Sequence, residues 1–224
     1  MKDFHTLLKG SIETHGHFCP GQVVGVRMAM LGCRRIGLDE LERRDQIKKL
    51  IIYVEIDRCA ADAIAYVTGV KLGRRSLKYV DYGIMAATFV NLESKKAFRI
   101  LSTEEARDLA PLYAPGVIDK TRQQLEAYMK MPDSVLFRVQ QVRVPIDQFD
   151  LPGPTRRKVA CSRCGQVVRD SREVILDGIT LCKPCAHGAY FKDVRESTWP
   201  EMNWAPAQCD DIPDKNCQPM GRNQ

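Results

Sequence analysis

Residues 15–29 read HGHFCPGQVVGVRMA: two imidazoles and a thiol on alternate positions, then Pro20 and Gly21, then apolar residues at helical spacing. Pro20 suits the first turn of a helix, because its missing N–H has no partner there in any case. Val23, Val24, Met28 and Leu31 give that helix an apolar stripe before Gly37. Upstream, Asp3 can cap an earlier helix in which Phe4, Leu7, Leu8 and Ile12 recur at the same spacing, with an end near Gly16. HGHFC is therefore a junction between two helices. A regular helix would scatter His15, His17 and Cys19, whereas an extended segment points them to one side.

Further along, Leu50–Ile56 is a short, β-branched apolar run that reads as a buried strand and delivers Cys59 to its end. Residues 59–68 are helical in pattern and stop at Gly69, so Cys59 is expected at or just before a helix N-terminus. Strands are predicted at Leu77–Val80, Met85–Asn91 and Ala97–Leu101. Ser102-Thr-Glu-Glu105 is a capping-box pattern that opens a helix interrupted by Pro111 and Pro115. A helix over Thr121–Met131 and a last strand over Val135–Val144 complete an α+β domain spanning residues 1–150. Residues 151–158 concentrate proline, glycine and basic side chains and read as a linker. A second module follows at 159–191, and 192–224 reads as an extended or partly disordered tail punctuated by Pro200, Pro206, Pro213 and Pro219.

At 224 residues and 44% apolar content the chain can bury a sizeable core. No run approaches the roughly 18–20 apolar residues of a membrane-spanning helix, and no apolar segment follows Met1-Lys-Asp-Phe-His; the expectation is a cytoplasmic protein without membrane attachment. The net charge of +6 permits acidic partners without demanding them. Nine cysteines without a signal peptide, four of them in two Cys-x-x-Cys pairs, point to metal ligation rather than disulfides.

Cys161-Ser-Arg-Cys164, seventeen residues, then Cys182-Lys-Pro-Cys185 has the spacing of a four-thiolate zinc site. Two knuckles held apart by a hairpin of Val167–Arg169 and Val174–Leu176 around Asp177-Gly178 would close a tetrahedron with no vacant position, a structural role. His187, Cys209 and Cys217 are read as bystanders. Arg156, Arg157, Lys158, Arg163, Arg169 and Arg172 give this module a basic character that leaves a nucleic-acid or protein adaptor as an alternative role.

His15, His17 and Cys19 are ligands for zinc, nickel, iron or copper rather than magnesium. Cys59 is the best candidate for the missing ligand. Asp62, one turn further on, could bind the metal, orient a histidine or satisfy the first turn of its helix. Cys33 falls inside the second helix and is expected to be buried. With only three protein ligands the fourth position would be open to water or substrate, and a catalytic reading has an open zinc activating water while His15 moves a proton. Lys71, Arg74 and Arg75 around Gly73 form a candidate anion-binding loop.

The stretch at 15–29, together with Cys59-Ala-Ala-Asp-Ala-Ile64, Gly69-Val-Lys-Leu-Gly73 and Asp81-Tyr-Gly83, resembles the FmdE-like family, named for the E-subunit of formylmethanofuran dehydrogenase, over most of residues 1–145. The four-cysteine module resembles the appendage of its two-domain members. The resemblance implies an α+β core related to thioredoxin, a mixed sheet flanked by helices, followed by a treble-clef zinc finger. It places the family's active site on His17, Cys19 and Cys59, with His15 close by, and implies zinc or another transition metal there. It further implies an accessory role around molybdenum or tungsten formylmethanofuran dehydrogenase systems, in one-carbon metabolism or metal-cofactor handling; a homodimer and a protein partner from such a system are expected. Val70 stands where relatives often carry cysteine, and Ile84 where a lysine is common, so two reactive groups are absent.

Overall fold

The computed structural model describes residues 1–38 and 44–195. The chain divides into two compact units, Met1–Lys158 with Arg169–Ser171, and Val159–Val168 with the residues from Arg172 onward. Of the tail, residues 196–224, which include Cys209 and Cys217, lie outside the described residues.

In the first unit, α1 (Phe4–His15) starts where the Asp3 carboxylate accepts from the Thr6 backbone N–H at 3.0 Å, and ends at Gly16 in the left-handed conformation. The Thr6 hydroxyl, donating to the same carboxylate at 2.7 Å, and then that backbone N–H hold the Asp3 carboxyl below its ordinary value. Helix α2 (Pro20–Ile36) follows, with Pro20 in its first turn as expected. Beyond it lie the single turn α3 (Arg44–Ile47), β1 (Leu50–Val54) and α4 (Cys59–Thr68). After a 3-10 turn come β2 (Leu77–Tyr79), β3 (Ala86–Asn91) and β4 (Ala97–Ser102). Short helices α5 (Glu104–Asp108) and α6 (Ala110–Tyr113) precede α7 (Lys120–Lys130), which Asp119 caps through the Arg122 N–H at 2.8 Å.

Two sequence expectations shift here. The capping residue of α5 is Thr103, whose hydroxyl accepts from the Ala106 N–H. The last strand, β5, is confined to Phe137–Gln141, because Pro132 initiates the turn α8 (Asp133–Leu136) over the residues predicted to begin it. Alternation alone did not register that Pro132 and Asp133 favour a helical start.

The five strands form a mixed sheet in the order β2-β1-β3-β4-β5, parallel only between β1 and β2. Strand β3 is buried along its whole length, and α2 packs on β3 and β4. Met28, Ile36, Ile52, Ile64, Phe89 and Ile100, each at most 2% exposed, fill the space between helices and sheet. A buried carboxylate, Glu55, is held on β4 by Arg99 through two bonds of 2.7 Å; such a pair is tolerated inside because its charges and hydrogen bonds are met together.

Helix α4 lies against α2, and small residues set the separation. A methyl group on Gly25 would stand 2.6 Å from the Ala60 carbonyl oxygen and from Ala63 Cβ; one on Gly21 would stand 2.9 Å from Cys59 Cβ. Only residues without side chains at these positions let the two helices approach so closely.

The second unit contains strands β6 (Lys158–Ala160) and β7 (Val167–Arg169) except for their end residues Lys158 and Arg169, then β8 (Val174–Leu176), β9 (Ile179–Leu181) and helix α9 (Lys183–His187). Strand β7 pairs with β6 across the first knuckle, and β8 pairs with β9. The expected pairing of Val167–Arg169 with Val174–Leu176 is thereby corrected. Asp177 and Gly178 both have positive φ, 50° and 76°, the geometry of a two-residue hairpin turn, which joins only the strands immediately flanking it. The buried apolar cluster is small: Cys161, Leu181 and Cys182.

Candidate metal centres

His15 is the last residue of α1 and Cys19 the N-cap of α2. The junction is not extended throughout, as the sequence suggested; the chain turns at Gly16, φ 92°, and resumes an extended conformation at Cys19. The outcome for the side chains is the expected convergence. One ligand atom from each of His15, His17, Cys19 and Cys59 lies within 4.8 Å of every other.

Two of the donors, Cys59 and His15, are placed by identifiable contacts. Cys59 is the first residue of α4, and Gly21 allows it to lie beside the start of α2. Gln22, fully buried, donates from Nε2 to the Cys59 carbonyl at 2.8 Å and accepts from the Ser11 hydroxyl on α1. Three helices are thus locked together one residue from the motif. His15 Nδ1 lies 3.0 Å from Asp62 Oδ2. A carboxylate only accepts, so Nδ1 carries the proton. Nε2 is then the free lone pair, and it is buried without a hydrogen-bond partner. A ring nitrogen in that state fits a cation, and a carboxylate behind the ring is the usual support of a metal-bound histidine. Of the three roles open to Asp62, the geometry assigns it the orienting one.

Burial, and then the neighbouring Cys19 sulfur, push the Cys59 thiol above its ordinary value. Cys33 is fully buried, away from the cluster. Val70 is also buried, and Ile84 is exposed. In the candidate anion loop, Lys71 and Arg74 face solvent, but Arg75 turns toward carboxylates: its Nη1 lies 2.9 Å from Asp170 and its Nη2 3.9 Å from Asp150.

A cavity of ≈450 Å³ borders the cluster, with Cys19 and Cys59 in its lining together with Arg58, Arg107 and Tyr128. No sequence pattern announced this cavity, because its residues come from α2, α4, α5 and α7. Gln22 and Ser11 were missed as well; the available signal was a lone amide in a helix otherwise apolar on nearly every side.

In the second unit, Cys161, Cys164, Cys182 and Cys185 bring their sulfurs within 4.8 Å of one another, and His187 is outside the set. Cys164 and Cys182 are 3.7 Å apart, close to the edge of about 3.8 Å that a tetrahedron with 2.3 Å zinc–sulfur bonds requires. Backbone N–H groups of Cys182 and Cys164 draw the Cys161 thiol down to about 6, while hydrogen bonding to Cys182 and burial push Cys185 up to about 12. Four crowded sulfurs cannot all ionise without a cation among them, which is the condition a metal supplies. Arg163 donates to the Cys185 carbonyl, so this arginine supports the second knuckle rather than a free basic face.

Fold and sites together define an α+β metal-ligating domain followed by a four-cysteine finger. Residues 14–138 match the family described as FmdE, molybdenum formylmethanofuran dehydrogenase operon, and residues 153–191 match the prokaryotic dksA/traR C4-type zinc finger. The first match covers more than half of the chain, and the protein belongs to the FmdE family. A curated relative, the probable S-adenosyl-L-methionine-binding protein of Archaeoglobus fulgidus, is 27% identical over 205 residues, covering 83% of this chain and 53% of the relative. The chain thus spans about half the length of that relative. The crystal structure of a tungsten formylmethanofuran dehydrogenase FmdE-like protein from Syntrophus aciditrophicus shares the fold, with a TM-score of 0.55 and 15% identity over 85% of this chain and 96% of that one. Among the described residues, no helix is long and apolar enough to cross a membrane.

Proposed function

We propose that the protein is a metal-binding accessory protein whose N-terminal domain holds a transition metal through His15, His17, Cys19 and Cys59, while the finger is a structural zinc site. The observation that carries this reading is the four-donor convergence, with the His15 ring oriented by Asp62 and its other nitrogen buried and unpartnered. Bound there, a zinc-like ion supplies a Lewis acid and a soft anchor for thiolates. The residues do the rest: Cys19 and Cys59 supply negative charge, His17 and His15 supply neutral nitrogens, and Gln22 with Gly21 holds the helix starts at ligating distance.

Four donors fill a tetrahedral ion. The vacant corner expected from three ligands is then taken by His15, which favours metal handling over activation of water; a hydrolytic role would need one histidine to leave. The description of the matching family, which names a molybdenum formylmethanofuran dehydrogenase operon, supports a place beside that enzyme; handling of its molybdenum or tungsten cofactor is the role we propose there.

Metal analysis of the purified full chain tests this reading. Cys19→Ser and Cys161→Ser are expected to lose metal independently, each keeping the other site filled. Metal content unchanged by Cys19→Ser would remove the N-terminal centre.

A further inference from the structure

The ≈450 Å³ cavity beside the N-terminal cluster lies in the size range of small-molecule sites. Its lining divides by chemistry. Val24, Ile56 and Met85 offer apolar surface, whereas Arg58 and Arg107 bring two positive charges against the single carboxylate of Glu104. Arg107, 60% exposed, has Glu104 3.2 Å from its Nη1 and lies near enough to Tyr128 for its charge to act on that hydroxyl. Arg58 forms no ion pair with any described residue.

The charge balance depends on the metal reading. A divalent cation is neutralised by the Cys19 and Cys59 thiolates, and His15 and His17 add nothing. Within the lining two arginines and one glutamate remain, one positive charge in excess; the carboxylates of Asp62, hydrogen-bonded to His15, and of Asp108 lie outside that lining. The first turns of α2 and α4, which also border it, lack side-chain caps, unlike those of α1 and α7. Their exposed N–H ends reinforce the positive potential. An anion is the complementary occupant. An inorganic oxyanion would leave Val24, Ile56 and Met85 without a partner, so the anion should carry an apolar body. A sulfonium such as S-adenosyl-L-methionine, with net positive charge, is disfavoured by the same balance.

We infer that this cavity binds a small organic carboxylate, its acid group held by Arg58 and Arg107 and its apolar body seated beside the metal centre. The inference rests on the proposed metal site.

Calorimetric titration of the zinc-loaded full chain tests it, with 3-phenylpropionate, the uncharged 3-phenylpropionamide and S-adenosyl-L-methionine as probes. The acid is expected to bind at least about tenfold more tightly than the amide, the scale of a charged hydrogen bond. Arg58→Ala and Arg107→Ala should each remove most of that preference without changing metal content, and Arg122→Ala, on the exposed face of α7, should leave it intact. Equal affinity for acid and amide would overturn the inference, as would tighter binding of S-adenosyl-L-methionine than of the acid. The wild-type ratio of acid to amide decides the matter even if an arginine variant does not fold. Metal content separates the two readings: a metal-loaded protein that ignores the acid defeats the cavity assignment alone, and a chain that takes the acid through both arginines but holds no metal at the His/Cys cluster defeats the metal reading alone.

Discussion

The side-chain amide of Gln22 donates to the carbonyl oxygen of Cys59 over 2.8 Å, so a buried residue of α2 fixes the residue that opens α4. Replacing Gln22 by leucine leaves the buried Ser11 hydroxyl without its partner and removes the side-chain donor to the Cys59 carbonyl, which keeps its bond within α4. The expected cost is about 1–3 kcal/mol of stability, accompanied by weaker metal retention because Cys59 loses its anchor. Urea denaturation and a chelator competition measure the two effects; an unchanged midpoint together with unchanged retention would show that the bond carries neither.

Gly25 faces Ala60 and Ala63 with no room for a methyl group, whereas nothing lies within 4 Å of a methyl at Gly73. Gly25→Ala should therefore push α2 from α4 and cost about 1–3 kcal/mol by overpacking. Gly73→Ala should stay within about 0.5 kcal/mol of wild type. Thermal melts of the two variants make the comparison, and equal melting temperatures would refute the close-packing argument.

In the proposed centre Asp62 would act on the metal only through His15. Asp62→Ala is expected to weaken metal affinity about 10- to 100-fold, the usual effect of removing the partner of a ligating histidine. Asp62→Asn should recover part of that loss, since its carbonyl oxygen still accepts from Nδ1. Competition with a zinc chelator gives the numbers, and identical affinities in Asp62→Ala and wild type would mean that His15 does not ligate.

The pH dependence has opposite signs with and without metal. In the metal-free protein the Cys59 thiol is held above its ordinary value, mainly by burial, so the folded state keeps a proton that the unfolded state gives up. That contribution to stability is full below the ordinary thiol value and is lost as pH rises through the raised one. Metal uptake releases the same proton and must strengthen over this window. Denaturation of the metal-stripped protein between neutral pH and about pH 10, set beside metal affinity at the same pH values, should show the two trends diverging.

Chelation should separate the two units. Among the described residues the finger's buried cluster holds only Cys161, Leu181 and Cys182, whereas the first unit has an extensive core between helices and sheet. Stripping metal from the full chain is expected to raise amide exchange across residues 159–187 while β1, β3 and α2 stay protected. Protection persisting in the finger after chelation would show that it folds without metal.

Local rules served well wherever a single residue sets local geometry. Pro20 at the start of α2, Gly69 closing α4 and the two knuckles of the finger were all legible, because each needs only its immediate neighbours. Of the pairings between distant segments, the approach of Cys59 to the cluster was legible from its chemistry, but the finer contacts were not. His15 and Asp62 are both visible as chemistry, but their contact depends on the α1–α4 packing, and Gln22 has no signature apart from its helix being buried nearly all round. The finger's hairpin was assigned to the wrong strand partner for a related reason: Val167–Arg169 and Val174–Leu176 have suitable composition, and only the φ angles at Asp177 and Gly178 show which strands the turn can join.

Cys19 and Cys59 are forty positions apart in the chain, yet their sulfurs share one neighbourhood. An ion bridging them staples a long loop shut and thereby denies the denatured chain much of its freedom. A covalent link of this kind is worth about 2–4 kcal/mol, and the span enters only logarithmically. Loading and emptying the centre would accordingly tighten and slacken the whole α2–α4 seam, making the protein's heat resistance a readout of how much metal it carries.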